Sequence, residues 1–99
     1  MGRLVVYAVV GVWELEPDQA EEQRNLLLSH IVPGVRHAPG LVKGYWAGDV
    51  GGRSHSFIVF EDQSSAEQFA ASVRGNAAAQ TESGVGVIDL QVVPVTAET

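Results

Sequence analysis

The segment that most constrains the fold is residues 3–14, RLVVYAVVGVWE, which is rich in valine and apolar at almost every position. Such a β-branched composition favours an extended strand. Successive side chains of a strand point to opposite faces of its sheet, and here both sets are apolar. The two sets are Leu4, Val6, Ala8, Val10, Val12 and Val5, Tyr7, Val9, Gly11, Trp13. A strand with one face in water alternates apolar and polar residues, so this strand is predicted to be covered on both sides.

Residues 17–32 predict the first helix, because apolar side chains recur there at helical spacing. Asp18 followed by Glu21 resembles a capping box at its start. Pro33 cannot continue the hydrogen-bond ladder, so a kink or a new short turn is expected at 33–38.

Two strands, 41–49 and 53–61, are predicted to form a hairpin around Gly51-Gly52, a good tight-turn signal. The second helix is predicted to begin at the capping-box pattern Ser64-Ser65-Ala66-Glu67 and to extend over residues 65–80. Its apolar stripe consists of Ala66, Phe69, Ala70, Val73 and Ala77.

The last predicted strand is 85–95, in which Pro94 suits an edge or a strand end. The order βαββαβ indicates an α+β, ferredoxin-like split fold, with two helices on one face of a four-stranded antiparallel sheet. We expect one domain over residues 1–99. The other sheet face would then be an exposed apolar patch, which predicts a homodimer through that face. Edge-to-edge pairing of sheets is the alternative that the sequence leaves open.

The chain has a net charge of -6 and only six basic residues, scattered singly. No basic patch exists to neutralise phosphates, which argues against nucleic acid and anionic membranes as partners. Cysteine is absent, which excludes disulfides and thiolate chemistry and fits a cytoplasmic location. The apolar run 4–12 is too short to span a bilayer.

At the level of segments, the chain resembles the dimeric α/β-barrel superfamily, in particular antibiotic-biosynthesis-monooxygenase-like domains. The stretch that matches best is 30–46, HIVPGVRHAPGLVKGYW, in which a helix runs through a Pro-Gly step into a strand with aromatics. The strand FIVFED and the capped helix with Phe69 match as well. The resemblance implies a homodimer with a pocket between sheet and helices in each subunit.

The resemblance also implies two kinds of chemistry. Some members are oxygenases that use no metal or organic cofactor and act on phenolic polyketides or quinols, whereas others degrade haem. The haem-degrading branch uses an Asn on the first strand and a His on the second helix, and related stress-responsive barrels carry a His on the first strand. This chain has none of these residues, so haem chemistry is not expected.

Histidines are the side chains that exchange protons near neutral pH, and the chain has three: His30, His37 and His55. No ligand spacing typical of a metal site is present. For His30 and His37 the favoured interpretation is structural, since cations complement the C-terminal end of a helix dipole. His55 shares strand parity with Phe57 and Val59, so it serves either as a base in a dry cavity or, in the opposite register, as part of the dimer interface.

The adjacent aromatics Tyr45 and Trp46 must face opposite sides of the sheet, so only one of them lines a given pocket.

Together with the family resemblance, these residues leave three functional hypotheses: a cofactor-independent monooxygenase for a small hydrophobic phenol or quinol, a non-catalytic binder of an apolar ligand, and a structural dimer. The candidate catalytic residues are His55, Tyr45 and Trp46, with no cofactor and no metal. The candidate substrate-binding residues are Tyr7, Trp13, His30, Arg36, Phe57, Phe69 and Asn76.

Overall fold

The computed structural model describes residues 6–50, 52–76 and 85–97. Their order confirms the predicted βαββαβ plan. The helical run 17–36 is named α1 below. The other elements are β1 (Tyr7–Leu15), β2 (Leu41–Val50), β3 (Arg53–Phe60), α2 (Gln63–Gly75) and β4 (Val85–Pro94).

Helix α1 changes its winding along its length. It begins as a 3-10 turn at Pro17–Gln19, is α-helical at Ala20–Leu26, π-helical at Leu27–Ile31, and α-helical again at Val32–Arg36. The chain therefore passes through Pro33 without ending the helix. Pro33 falls in the first turn of the last α-helical segment, where its missing N–H is tolerated.

Both predicted capping boxes are wrong in detail. No side chain caps the start of α1, because the helix opens with a 3-10 turn instead of a regular α-helical one. Helix α2 begins at Gln63, two residues before the predicted span 65–80, and its cap is Asp62. The Asp62 carboxylate accepts a hydrogen bond of 2.8 Å from the Ser65 backbone N–H. Asn76 follows the last residue of this helix, and residues 77–80 of the predicted helix lie outside the described residues.

The four strands form one sheet in the order β2-β3-β1-β4. Strand β1 pairs antiparallel with both β3 and β4, and β2 pairs antiparallel with β3. This is the ferredoxin-like arrangement that the element order predicted. Pro94 ends β4, which is an edge strand, as a residue without a backbone N–H requires.

Both helices pack on the same face of the sheet. On that face, Val9 of β1 and Ile58 and Phe60 of β3 are buried. They pack against Val35 of α1 and against Ala66 and Ala70 of α2. The ring of Phe69 lies 5.2 Å from that of Phe60, between centroids. The helix-covered face therefore receives the odd-numbered residues of β1 and the even-numbered residues of β3.

No helix of the described residues covers the opposite face, which is called the open face below. Tyr45 of β2 is 57% exposed there, and its cross-strand neighbour Phe57 of β3 is 43% exposed. Phe57 in turn pairs with Val10 of β1. An apolar row thus crosses three strands, so the two-faced apolar character expected of the sheet is present in the folded chain.

Within the described part of the chain, no helix is long and apolar enough to cross a membrane.

Candidate functional site: a cleft between the first helix and the sheet

A cleft of about 680 Å³ lies between α1 and the helix-covered face of the sheet. Its size is in the range of small-molecule sites. The sheet contributes the floor, and α1 with part of α2 contributes the roof. Lining residues from the sheet and its turns include Val9, Trp13, Trp46, Gly48, Ser54, Ser56, Ile58 and Leu90, and those from the helices include Gln23, Arg24, Leu26, Leu27, Ile31, Phe69 and Val73.

The floor holds a polar pair in apolar surroundings. The indole N–H of Trp13 donates a hydrogen bond of 3.1 Å to the hydroxyl of Ser56, which is 4% exposed. Ser56 pairs directly with Gly11 across β1 and β3. A Cβ at Gly11 would lie 2.7 Å from both Ser56 Oγ and Trp13 Nε1. The absence of a side chain at Gly11 therefore lets the indole fold back along its own strand to reach the hydroxyl.

The second tryptophan is seated in the same way. The Trp46 indole lies over Gly44, whose Cβ would be 3.3 Å from the ring carbons Cζ3 and Cη2. Trp46 is also the direct cross-strand neighbour of Ser56. The hydroxyl of Ser56 is thus flanked by an indole from each adjacent strand. A flat aromatic molecule could lie between the two rings with its polar atom at Ser56.

Sequence reasoning missed Ser56, although a signal for its surroundings was present. The triplets Gly11-Val12-Trp13 and Gly44-Tyr45-Trp46 repeat the pattern Gly-x-Trp on two strands. Because residues two apart share a strand face, each glycine leaves room for the indole two residues later. The repeated pattern indicates a face with two recessed tryptophans.

Ser54 of β3 also lines the cleft and donates to the Ala47 carbonyl at 3.3 Å, and the other polar groups lie toward α1. Gln23 is buried, and its side-chain amide donates to the backbone carbonyl of Glu16 at 3.1 Å, which closes the start of the helix onto the loop before it. Glu16 and Arg24 also line the cleft and are exposed. Charge is therefore confined to the exposed part of the cleft, while the floor offers neutral donors and aromatic rings.

A second cavity of about 470 Å³ lies between the end of α1 and helix α2. It shares Ile31, Phe69 and Val73 with the cleft. Its other lining residues are His30, Gly34, Val35, Ala38, Pro39, Phe60, Ser65, Gln68, Ser72 and Asn76.

The predicted site residues fall into three groups. Trp13 and Trp46 line the cleft, and Phe69 lines both cavities. His30 and Asn76 line the second cavity only. The others line neither cavity: Tyr7 packs at the edge of the core, Arg36 is exposed beside it, and His55, Tyr45 and Phe57 lie on the open face.

The fold thus does not bring the three candidate catalytic residues together. Trp46 points into the cleft, while Tyr45 and His55 point to the other side of the sheet. For His55 this is the register that the sequence associated with the dimer interface. Among the described residues, no three histidine, aspartate or glutamate side chains gather as a metal site.

No protein-family model and no curated protein matches the sequence. Solved structures do match. MupZ from Pseudomonas fluorescens has a TM-score of 0.72 at 10% identity, over 88% of this chain and 69% of MupZ. A candidate antibiotic biosynthesis monooxygenase from Deinococcus radiodurans has a TM-score of 0.69 at 18% identity, over 94% of this chain and 93% of that one. The monooxygenase ActVA-Orf6 from Streptomyces coelicolor, solved in complex with Nanaomycin D, has a TM-score of 0.60 at 17% identity, over 97% and 89%.

These structural similarities extend over nearly the whole chain, but the sequence identities are low, so the similarities establish the fold alone. A protein of unknown function from Nitrosomonas europaea, NE2512, matches equally well, with a TM-score of 0.70 at 18% identity over 99% of this chain and 96% of that one. The chain therefore has the fold of the antibiotic-biosynthesis-monooxygenase-like domains, as the resemblance of its sequence implied.

Proposed function

We propose that the protein is a cofactor-independent monooxygenase that binds a small hydrophobic phenol or quinol in the cleft between α1 and the sheet. In a phenol, the ring carbon opposite the phenolic oxygen gains one oxygen atom from dioxygen and becomes a carbonyl, and the hydrogens of its C–H bond and of the phenolic O–H leave with the second oxygen atom as water. In a quinol, whose opposite carbon already bears oxygen, a neighbouring ring carbon gains the oxygen atom as a hydroxyl, and the two O–H hydrogens of the quinol leave with the second oxygen atom as water. The phenol supplies all electrons that reduce dioxygen, so the product is a quinone.

The observation that supports this proposal is the hydrogen bond from the Trp13 indole to the Ser56 hydroxyl on the cleft floor. Ser56 accepts from Trp13, which leaves its own O–H to donate to a ligand. A hydroxyl that accepts one hydrogen bond becomes a better donor for the next. In a cavity with little water, such a donor stabilises the phenolate that must form before reaction with dioxygen.

The surroundings of Ser56 suit an aromatic ring. The indoles of Trp13 and Trp46 flank Ser56, and Ile58 and Leu90 add apolar surface. The relative ActVA-Orf6 holds Nanaomycin D in its structure, and its fold is shared by this chain. This similarity supports a small-molecule ligand and is independent of the hydrogen-bond geometry.

The experiment is aerobic incubation with a panel of naphthols, with the naphthoquinone followed by absorbance. Labelled dioxygen should place one labelled oxygen atom in each quinone. Ser56→Ala should lower the rate about tenfold or more, as the loss of one oxyanion donor does elsewhere. The matched control is Ser54→Ala, which removes a more exposed cleft hydroxyl bonded to the Ala47 carbonyl. Quinone without label, or equal rates for both variants and the wild type, would refute the proposal.

A second candidate function is ligand binding without turnover. It is favoured by one feature of the cleft: its ionisable lining residues within the described chain, Glu16 and Arg24, are both exposed, and no histidine is among them. A pocket without a buried base suits storage or transport of an apolar molecule. Naphthol binding with unchanged affinity in Ser54→Ala and no quinone over hours would support this alternative.

We also propose a homodimer that forms through the open face. Tyr45 and Phe57 are exposed there beside the half-buried Val10, so the three side chains form a contiguous apolar patch. Large contiguous apolar patches on a protein surface mark interaction sites. His55 would then lie in or beside the interface. A cytoplasmic location stays a prediction from the sequence.

A further inference from the structure

We propose that the second cavity extends the cleft and binds the chain of an elongated, neutral, amphipathic ligand whose aromatic ring lies between Trp13 and Trp46. The inference rests on the proposed function for the position of the ring. It adds the substrate class: an aromatic head with an alkyl chain that ends in an uncharged hydrogen-bonding group.

The first argument is the wall between the two cavities. Ile31 of α1 and Phe69 and Val73 of α2 line both of them. All three side chains are apolar and half-buried. Phe69 packs against the ring of Phe60, and Ile31 packs against the same core cluster. Because the same three side chains border both cavities, the cavities adjoin, and a ligand that displaces these side chains would occupy both.

The second argument is the local winding of α1. Its π-helical turn, Leu27–Ile31, lies at the junction of the cavities. Leu27 lines the cleft, His30 lines the second cavity, and Ile31 lines both. Single π-helical turns within helices recur at functional sites, because they widen the helix and redirect side chains. Here the turn presents successive side chains to two adjoining cavities.

The third argument is the chemistry of the second cavity. Its base is apolar, with Val35 and Phe60 buried, and its outer edge carries the exposed polar side chains of His30, Gln68 and Asn76. Among the described residues that line it, none is Lys, Arg, Asp or Glu. A methylene chain would gain from the base, and a hydroxyl or amide would find partners at the edge. A charged group would meet no permanently charged side chain among these lining residues.

Two glycines allow a matched test. Gly34 lines the second cavity, Gly75 lines neither, and a Cβ at either position meets no atom within 4 Å. Both are exposed helical residues. Gly34→Leu should therefore fill the second cavity, and Gly75→Leu is the control for adding the same side chain to a helix. Ser72→Leu fills the cavity from α2 and serves as an independent second variant.

The probes are naphthols that carry a methyl, a hydroxybutyl or a hydroxyoctyl chain. Binding is followed by tryptophan fluorescence, since both tryptophans of the chain line the cleft and neither lines the second cavity. In the wild type and in Gly75→Leu, each added methylene that leaves water should tighten binding about two- to fourfold. In Gly34→Leu and Ser72→Leu this gain with chain length should be lost.

The outcomes separate the two proposals. If the methyl compound does not bind the wild type, the proposed function fails. If it binds, but affinity does not rise with chain length or rises equally in Gly34→Leu, Ser72→Leu and Gly75→Leu, the extension is refuted and the proposed function stands. Circular dichroism and thermal unfolding establish that each variant is folded, and either filling variant suffices for the comparison.

Discussion

Trp13 and Ser56 are joined by a hydrogen bond of 3.1 Å across the two central strands, on the face of the sheet that the helices cover. The two residues are not direct cross-strand partners, because Ser56 pairs with Gly11 and Trp13 pairs with Ser54. The bond is diagonal, and it exists because Gly11 presents no side chain to the indole. Sheet geometry, a glycine and a tryptophan together place one polar donor on the floor of an apolar cleft.

The role of Gly11 leads to the first prediction. In Gly11→Ala the new methyl group would lie 2.7 Å from both Trp13 Nε1 and Ser56 Oγ, so the indole must move and the hydrogen bond must break. We expect a loss of about 1–3 kcal/mol in the free energy of unfolding, as for other overpacked sites. Tryptophan emission should shift to longer wavelength as the indole moves toward water. Thermal unfolding and emission spectra measure both effects.

The control for this substitution is Gly48→Ala, also on a strand that borders the cleft. A Cβ at Gly48 meets no atom within 4 Å. The melting temperature of the Gly48→Ala variant should therefore equal or exceed that of the wild type. A Gly11→Ala variant as stable as Gly48→Ala, with an unchanged emission maximum, would show that the close approach at Gly11 is not present in solution.

Tyr45 and Trp46 provide the second prediction, since adjacent residues serve opposite faces. Trp46→Ala should lower naphthol affinity about tenfold or more, because an aromatic wall of the cleft is lost. Tyr45→Ala should leave the affinity of each subunit close to that of the wild type. Isothermal titration calorimetry compares the two. A larger effect of Tyr45→Ala would place the ligand on the open face instead.

The third prediction concerns the open face. Phe57 is 43% exposed in the single chain and lies at the centre of the apolar row, so Phe57→Asp should place a charge in the proposed interface. An unpaired buried charge is strongly unfavourable, and the dimer should dissociate at micromolar concentration. The control is Ala71→Asp on the exposed side of α2. Sedimentation would contradict the proposal if the wild type were a monomer of 10.5 kDa.

The fourth prediction tests the start of α2. Asp62→Ala removes the carboxylate that accepts from the Ser65 N–H, and should cost about 0.5–2 kcal/mol. For a domain of this size, each kcal/mol lowers the melting temperature by about 4–8 °C. Asp18→Ala should have no comparable effect, because no side chain caps the first helix. Equal effects of the two substitutions would mean that Asp18 caps that helix in solution.

The extent of each element was largely readable from local pattern. Local pattern predicts strands 41–49, 53–61 and 85–95 and the first helix close to their observed bounds. This is so because alternation and helical spacing are local properties of the sequence. The caps were not, since Asp18 and Ser64 have the right chemistry but the chain reaches each helix by another turn. The π-helical turn at Leu27–Ile31 had no recognised signal beyond Pro33 nearby.

The site was only partly predictable. The aromatic side chains predict part of the cleft, since Trp13, Trp46 and Phe69 line it, whereas an isolated serine on a strand, such as Ser56, has no local signature. His55 is a candidate in the sequence because it is an ionisable group in an apolar strand. Its side chain lies on the open face, since Ser56, Ile58 and Phe60 are the residues of β3 that face the helices.

By itself, the sequence determined the element order and the apolar character of both sheet faces, because both depend on residue spacing along the chain. Only the tertiary structure decided which face the helices cover. Both sets of side chains on β1 are apolar, so the local pattern does not distinguish its two faces, and the choice depends on contacts between distant segments, such as Phe60 with Phe69. The same choice assigned Trp46 to the cleft and Tyr45 to the open face, and the pairing of β1 with β3 brought Trp13 to Ser56.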